Sequence, residues 1–349
     1  MSARRPCGSP PGRQRGVALL VAILIVALGT IVAAAVAYEN AMTARRGTAT
    51  YAFDQAVLIH QGAEAIAAFG LRQIAQQNPK SLYLGQGWDK PYGPLEVVPG
   101  VMLEASLEDL QGRFNLNNLV TAQGTADSVQ LAAFTKLLEE VGLETKWAGL
   151  LANWIDFGGD PQQSSDGAED SVYMGQDPPY RTANRYITST TELLALPGFG
   201  RERYVKLAPF IAALPYGTLV NTCTASAEVL VAYEAPGRSD FDDENLAKTR
   251  ANTPGCFPTP DDYGKVFDAK DWSPQPAPRG TGTTPSPGAQ QPVQPGTQGG
   301  LKSKFGQTSN YFRLKSFVTI GSTEFNQYSL LYQDGTQNVR PLQRSFTPD

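Results

Sequence analysis

Residues 17–37 read VALLVAILIVALGTIVAAAVA, a run without a single charged side chain. At about 1.5 Å rise per residue, a helix of this length spans roughly the 30 Å hydrocarbon core of a bilayer. Upstream stand Arg4, Arg5, Arg13 and Arg15 with no acid among them, while Glu39 and a polar stretch to Arg46 follow. Basic flanks stay on the cytoplasmic side, so the short leader is expected inside and the bulk of the chain outside. A secretory signal has a shorter apolar stretch with a small-residue cleavage site after it; here the small residue, Gly16, precedes the run.

The rest of the chain must fold on the far side of that membrane. Its 349 residues exceed one average domain, which predicts the anchor plus one elaborated domain or two smaller ones. A hydrophobic content of 41% with 18% charged residues is that of a chain able to bury a core. The net charge of −4 falls to about −8 if the four leader arginines are lost, which disfavours nucleic acid and suits divalent cations or basic patches. Cys7 lies in the leader, leaving Cys223 and Cys256. In an oxidising compartment these two most simply form a disulfide, the alternative being two buried thiols.

Beyond the anchor the helical pattern continues to about Gln77 and breaks at Asn78-Pro79. Two strand-like runs, 95–98 and 101–108, flank Pro99-Gly100 and read as a hairpin. The segment GRFNLNNL, 112–119, alternates polar and apolar residues, and its asparagines can bond the backbone in a turn. Residues 128–156 and 191–214 carry helical periodicity, which predicts an inserted helical subdomain with a loop at 156–180. The tract 273–300 has seven prolines and six glycines and reads as a flexible loop. Runs at 310–318, 325–332 and 339–346 read as strands, with Asp334-Gly335 as a hairpin turn.

Within 156–177 lie Asp156, Asp160, Asp166, Glu169, Asp170 and Asp177 without one basic residue. Six acids this close repel one another, and a hard cation such as calcium, with six to eight oxygen ligands, relieves the repulsion. The spacing is not that of an EF-hand, and a merely solvated acidic loop is the competing reading. Asp240, Asp242, Asp243 and Glu244 form a weaker second cluster. Leu196-Pro197-Gly198-Phe199-Gly200, followed by Arg201, Arg203 and Lys206, is similar to the turn of a helix-hairpin-helix module, whose amides can hold a phosphate. That leaves open a membrane-anchored periplasmic DNA-binding protein, against which the acidic mature chain argues. Catalysis finds little support: the single histidine, His60, sits in a helical pattern, and neither a Ser-His-Asp set, a zinc cluster nor a GxxxxGK loop is present.

Several segments carry a family resemblance. Arg15-Gly16-Val17-Ala18-Leu19-Leu20 looks like a prepilin-peptidase site, cut after Gly16 to leave Val17 as the new amino terminus, an uncleaved signal anchor being the alternative. GRFNLNNL, NWID (153–156), GAED (167–170), PPYRTAN (178–184), TELLALPGFG (191–200) and LVNTCTASAEVL (219–230) then follow in order. Together they resemble the type II secretion minor pseudopilin of the K class. The resemblance implies an α+β, type IV pilin-like fold, a long N-terminal helix plus antiparallel sheet, with a large inserted α-helical domain containing helix-hairpin-helix-like units. It maps the chain as leader 1–16, transmembrane segment 17–37, pilin-like helix and first strands 38–119, insertion 120–300 and closing strands 301–349. It also implies calcium on the acidic loop, processing by prepilin peptidase, residence in the bacterial inner membrane with most of the chain periplasmic, and a non-enzymatic role at the tip of the pseudopilus. The partners implied are the I-class and J-class minor pseudopilins, other pseudopilins and the inner-membrane secretion platform, with no nucleic acid. Where most pilins carry a glutamate at the fifth mature position, this chain has Val21. A subunit without that acid cannot pair with a neighbour's amine and avoids burying a charge in lipid, which suits the end of a fibre. Cys223 and the long stretch 235–300 depart from the usual pattern.

Overall fold

The computed structural model describes residues 17–157, 170–234, 240–262, 304–335 and 338–347. Gly16, the 273–300 tract and the residues between Phe157 and Asp170 lie outside them. The chain divides into two units, Met1–Leu58 and Ile59–Asp349. Helix α1, Val17–Gln77, begins at the first described residue, and its amino-terminal portion is long and apolar enough to cross a membrane. Val17, Val21, Leu24 and Leu28 all present their side chains outward, as lipid-facing residues do.

The second unit is built on a five-stranded antiparallel sheet in the order β1-β2-β7-β8-β9. β1 (Tyr92–Val98) and β2 (Val101–Asp109) form the expected hairpin. Gly100 takes the left-handed backbone its turn requires, and its N–H donates to Glu96 Oε1. β7 (Tyr311–Ile320), β8 (Thr323–Gln333) and β9 (Val339–Ser345) are the three closing strands. β2 and β7 pair over nine successive residues without a register break, although the whole insertion separates them in sequence.

One face of this sheet carries Leu103, Phe312, Leu314, Ser316 and Val318, and the carboxy-terminal part of α1 buries Ala63 and Leu71. The helix is also fixed by polar contacts. His60 Nδ1 lies 2.7 Å from Ser316 Oγ, and Glu64 accepts from Ser329, Gln327 and, through both carboxylate oxygens, Arg344. His60 is therefore a structural residue, 1% exposed.

Between β2 and β7 comes the helical insertion. Its core stacks Phe114 on Phe134 and on Tyr233, with ring centroids 5.3 and 5.7 Å apart. The periodicity at 128–156 resolves into two helices, α2 (Ser128–Glu140) and α3 (Lys146–Ile155). Asp127 caps α2 by accepting from the N–H groups of Val129 and Gln130, and Gly142, at φ +68°, ends it. α4 spans Asp170–Met174.

The helical expectation for 191–214 needs correction. Thr190–Ala195 is a 3-10 helix, α5 covers only Gly200–Leu207, and Ala208–Phe210 is again 3-10. The chain then enters a short strand, β4 (Ile211–Ala212), which pairs in parallel with β3 (Phe114–Asn115). Pro197, Gly198 and Pro209 interrupt what the apolar periodicity alone would continue. β5 (Val220–Asn221) pairs in parallel with β6 (Phe305–Gly306), and α6 (Ala227–Ala232) and α7 (Asp243–Asn252) complete the insertion.

Candidate functional site

The GRFNLNNL segment is the structural centre of the insertion. Asn115 Oδ1 accepts from the N–H of Asn117, the turn contact its composition suggests, and also from the N–H of Leu214. Asn117, 2% exposed, grips both polar groups of Ile187 and donates to Leu214 O. Asn118 accepts from Gly217 N–H and donates to Thr218 O. Three neighbouring amides thereby satisfy backbone about 70 to 100 positions away. Each amide offers an acceptor and two donors, which suits irregular backbone that has no ladder partner. Gly112 belongs to the same unit, since a Cβ there would lie 2.9 Å from Thr224 O.

A second buried knot, not expected from the sequence, joins insertion to sheet. Asp109, the last residue of β2, accepts from Thr224 Oγ1 and Ser309 Oγ at 2.6 Å each, from Asn221 Nδ2 and from Gln111 N–H. Burial raises its carboxyl pKa, and these donors oppose the rise. Asn221 also reaches Leu82 O, so the stretch after α1, the sheet and the insertion meet at one point. The signal that could have revealed it was an aspartate ending the series Val101, Leu103, Ala105, Leu107 along one face of the strand.

Cys223 and Cys256 form a disulfide across 33 positions. Around it Thr222 Oγ1 donates to Pro258 O, and Arg250 donates to the carbonyls of Phe257 and Thr222. The segment carrying α7 is thus held to β5 at several points.

Of the acidic loop, Asp160, Asp166 and Glu169 lie outside the described residues. Asp156 is buried where α3 ends, and Asp170 opens α4, so the two bracket the loop. Asp170 Oδ1 accepts from the hydroxyl and N–H of Thr182, which lowers its pKa. The loop's base is rigid: Trp154 packs on Tyr173 and Tyr180, and Asn184 N–H donates to Trp154 O. Among the described residues no three acids, histidines or cysteines converge on one point. The cluster at 240–244 has a simpler account, because Asp242 is the N-cap of α7 and Asp243 and Glu244 occupy its first turn.

The turn at 196–200 uses Gly198 and Gly200 at φ +80° and +74°. Arg203 folds back onto the carbonyls of Gly198 and Phe199 and pairs with Glu144, so the nearest guanidinium serves the fold. That gives no support to phosphate binding at the turn.

An amino-terminal helix apolar and long enough to serve as a membrane anchor, continuing into a helix-and-sheet unit interrupted before the last three strands by a helical insertion, is the architecture of the pilin-like class. The family model described as type II secretion system protein K matches residues 112–216, the stretch holding the asparagine clamp. A relative in Pseudomonas aeruginosa, named type II secretion system protein K, is 34% identical over 72% of this chain and 76% of its own length. Another of that name from Pectobacterium carotovorum is 28% identical over 96% of this chain and 97% of its own. The chain belongs to the type II secretion system protein K family. In fold it is similar to a chain in the crystal structure of the GspK-GspI-GspJ complex from enterotoxigenic Escherichia coli, with a TM-score of 0.67, 23% identity, and coverage of 87% of this chain and 100% of that one.

Proposed function

We propose that this protein is the minor pseudopilin at the tip of the type II secretion pseudopilus, where it starts or caps a short fibre that exports folded proteins across the outer membrane. On this reading it is cut after Gly16 by prepilin peptidase, held in the inner membrane by residues 17–37, and otherwise periplasmic. It joins I-class and J-class minor pseudopilins and performs no catalysis. The observation that carries the proposal is the helical insertion between β2 and β7, whose bulk, added to a pilin-type sheet, suits the uppermost position of a fibre better than one beneath another subunit. Val21 agrees, since the chain lacks the buried acid that a repeating subunit offers its neighbour. Affinity purification of the tagged full chain from native membranes, with mass spectrometry, tests both parts. Two small pilin-like proteins and an amino terminus at Val17 are expected; an intact Met1, or recovery without such partners, would contradict the proposal.

We infer further that the acidic loop holds calcium through Asp156, Asp160, Asp166, Glu169 and Asp170. The support is chemical: five carboxylates fall within 156–170 of the sequence with no basic residue among them, and the contact of Trp154 with Tyr173 brackets the loop. A bound ion at 100 times its Kd stabilises by about 2.7 kcal/mol. Removing calcium with chelator should therefore lower the thermal midpoint by several degrees, reversibly on adding the ion back. An unchanged midpoint rejects the site.

A further inference from the structure

The face of the sheet turned away from α1 carries a second, differently built site. Register places Glu108, Arg313 and Leu330 abreast, with Lys315 beside Tyr328 and Phe317 two residues further along β7. The 188–190 turn and the α5 to β4 stretch stand over this face and enclose a cleft of about 620 Å³. That volume is in the range of pockets that take small molecules or short peptide segments. Its walls are largely apolar and hydroxyl-bearing, and among the described residues the charged ones lining it are Arg113, Arg313 and Lys315.

These three cations share one carboxylate. Glu108, which does not line the cleft, pairs with Arg113 Nη2 through Oε1, and with Arg313 Nη2 at 3.0 Å and Lys315 Nζ at 3.1 Å through Oε2. Burial opposes ionisation of Glu108, but the cations outweigh it and hold its pKa at about 2, so it is an anion at any working pH. Three positive charges against one negative leave two uncompensated. Arg113 spends Nη1 on the carbonyls of Ala208 and Ile211. Arg313 does not: its Nε is buried and has no hydrogen-bond partner, while its side chain is only 14% exposed. A buried donor without an acceptor is costly, the more so on a charged group, and adds to the positive potential at the cleft floor. The excess charge is relieved by an incoming carboxylate.

We propose that this cleft binds a carboxylate side chain presented on an extended acidic peptide segment of a partner protein. Lys315 Nζ, on the most exposed of the three cations, receives the acid with Arg313 behind it, and Phe317 and Tyr328 supply apolar contact for its neighbours. A peptide is favoured over a free anion because the charged floor is only part of the cleft. The walls otherwise bury little against a small ion, and Gln343 and Ser345 of β9 open it toward a sheet edge. The proposal rests on the cleft alone, so it stands or falls separately from placement at the fibre tip.

The test is fluorescence anisotropy of the full chain in detergent micelles. The probes are the fluorescein-labelled peptide Gly-Glu-Leu-Glu-Gly and its Gly-Gln-Leu-Gln-Gly counterpart. The acidic peptide should bind at least about tenfold more tightly, and weaken as salt rises. Lys315 is 34% exposed at its side chain, so Lys315→Gln should leave the thermal midpoint unchanged while weakening the acidic peptide about tenfold. Lys315→Glu should abolish its binding. Equal affinity for the two peptides, or insensitivity to both substitutions, would overturn the proposal. Complete displacement by inorganic phosphate at the peptide's own concentration would overturn the peptide in favour of a small anion.

Discussion

Asn117→Ala is the most informative single change in the insertion. The side chain makes three buried hydrogen bonds of 2.8–2.9 Å, accepting from Ile187 N–H and donating to the carbonyls of Ile187 and Leu214. Truncation leaves one backbone donor and two acceptors without their partner, in a place where Asn117 itself is only 2% exposed. At about 1 kcal/mol for each net bond, and up to about 3 for a group left dry, the loss is on the order of 3–6 kcal/mol. That is a large share of the 5–15 kcal/mol typical of a folded domain. Asn118→Ala removes the contacts to Thr218 O and Gly217 N–H at the edge of the insertion, where water can replace them, so about 1–3 kcal/mol is expected. Urea unfolding of the full chain in mild detergent, followed by the fluorescence of Trp147 and Trp154 in the insertion core, measures both. A loss below about 1 kcal/mol for Asn117→Ala, or a larger one for Asn118→Ala, would refute the clamp as the organiser of this region.

Replacing Cys223 and Cys256 together by serine opens a loop spanning 33 positions and should cost about 3–4 kcal/mol by loop entropy, read as a lower urea midpoint; no shift would mean the hydrogen bonds around Arg250 suffice without the bond. Acidification should weaken helix α1 on the sheet. Burial of His60 depresses its pKa from 6.5 to about 4, partly opposed by Glu64 and by the backbone carbonyl of Phe325, so its contribution is complete above pH 6.5 and is lost as pH falls toward 4. Glu64, which burial opposes but Arg344 and Ser329 hold below the usual carboxylate value, adds a further loss below about pH 4.5. His60→Gln should flatten the part of the stability profile between pH 6.5 and 4, and an unaltered slope there would remove His60 from the account.

How far the sequence spoke for the structure depended on distance along the chain. The Pro99-Gly100 hairpin was legible because the turn chemistry and the alternating residues around it are local. The last three strands were legible for the same reason, though the β7 to β8 turn falls at Gly321. The asparagines of 112–119 announced unusual backbone contacts but not their partners, since nothing near them points to Ile187 or Leu214. Residues 208–214 misled for a related reason: their apolar spacing suits a helix, yet pairing with Phe114 and Asn115 draws Ile211 and Ala212 into a strand. The acids at 240–244 looked like a ligand set until Asp242 proved to be a cap. Asp109 stood out at most as an acid on an apolar face, and its partners were not legible because Asn221, Thr224 and Ser309 lie in two distant segments.

That junction bears on the order in which the protein can be made. Asp109 and Ser309 stand 200 positions apart, so a ribosome finishes nearly the whole insertion before β7 exists to pair with β2. Were the intervening chain still unfolded at that moment, closing it would carry an entropic cost of about 4 kcal/mol over that of a two-residue turn. A folded insertion removes most of that cost, because Asn221 and Thr224 already hold Asp109 where Ser309 must arrive. Completion of the pilin sheet is thereby favoured by an insertion that has already folded, and a chain with a defective insertion would have to join the β1–β2 hairpin to β7–β9 at the full entropic cost.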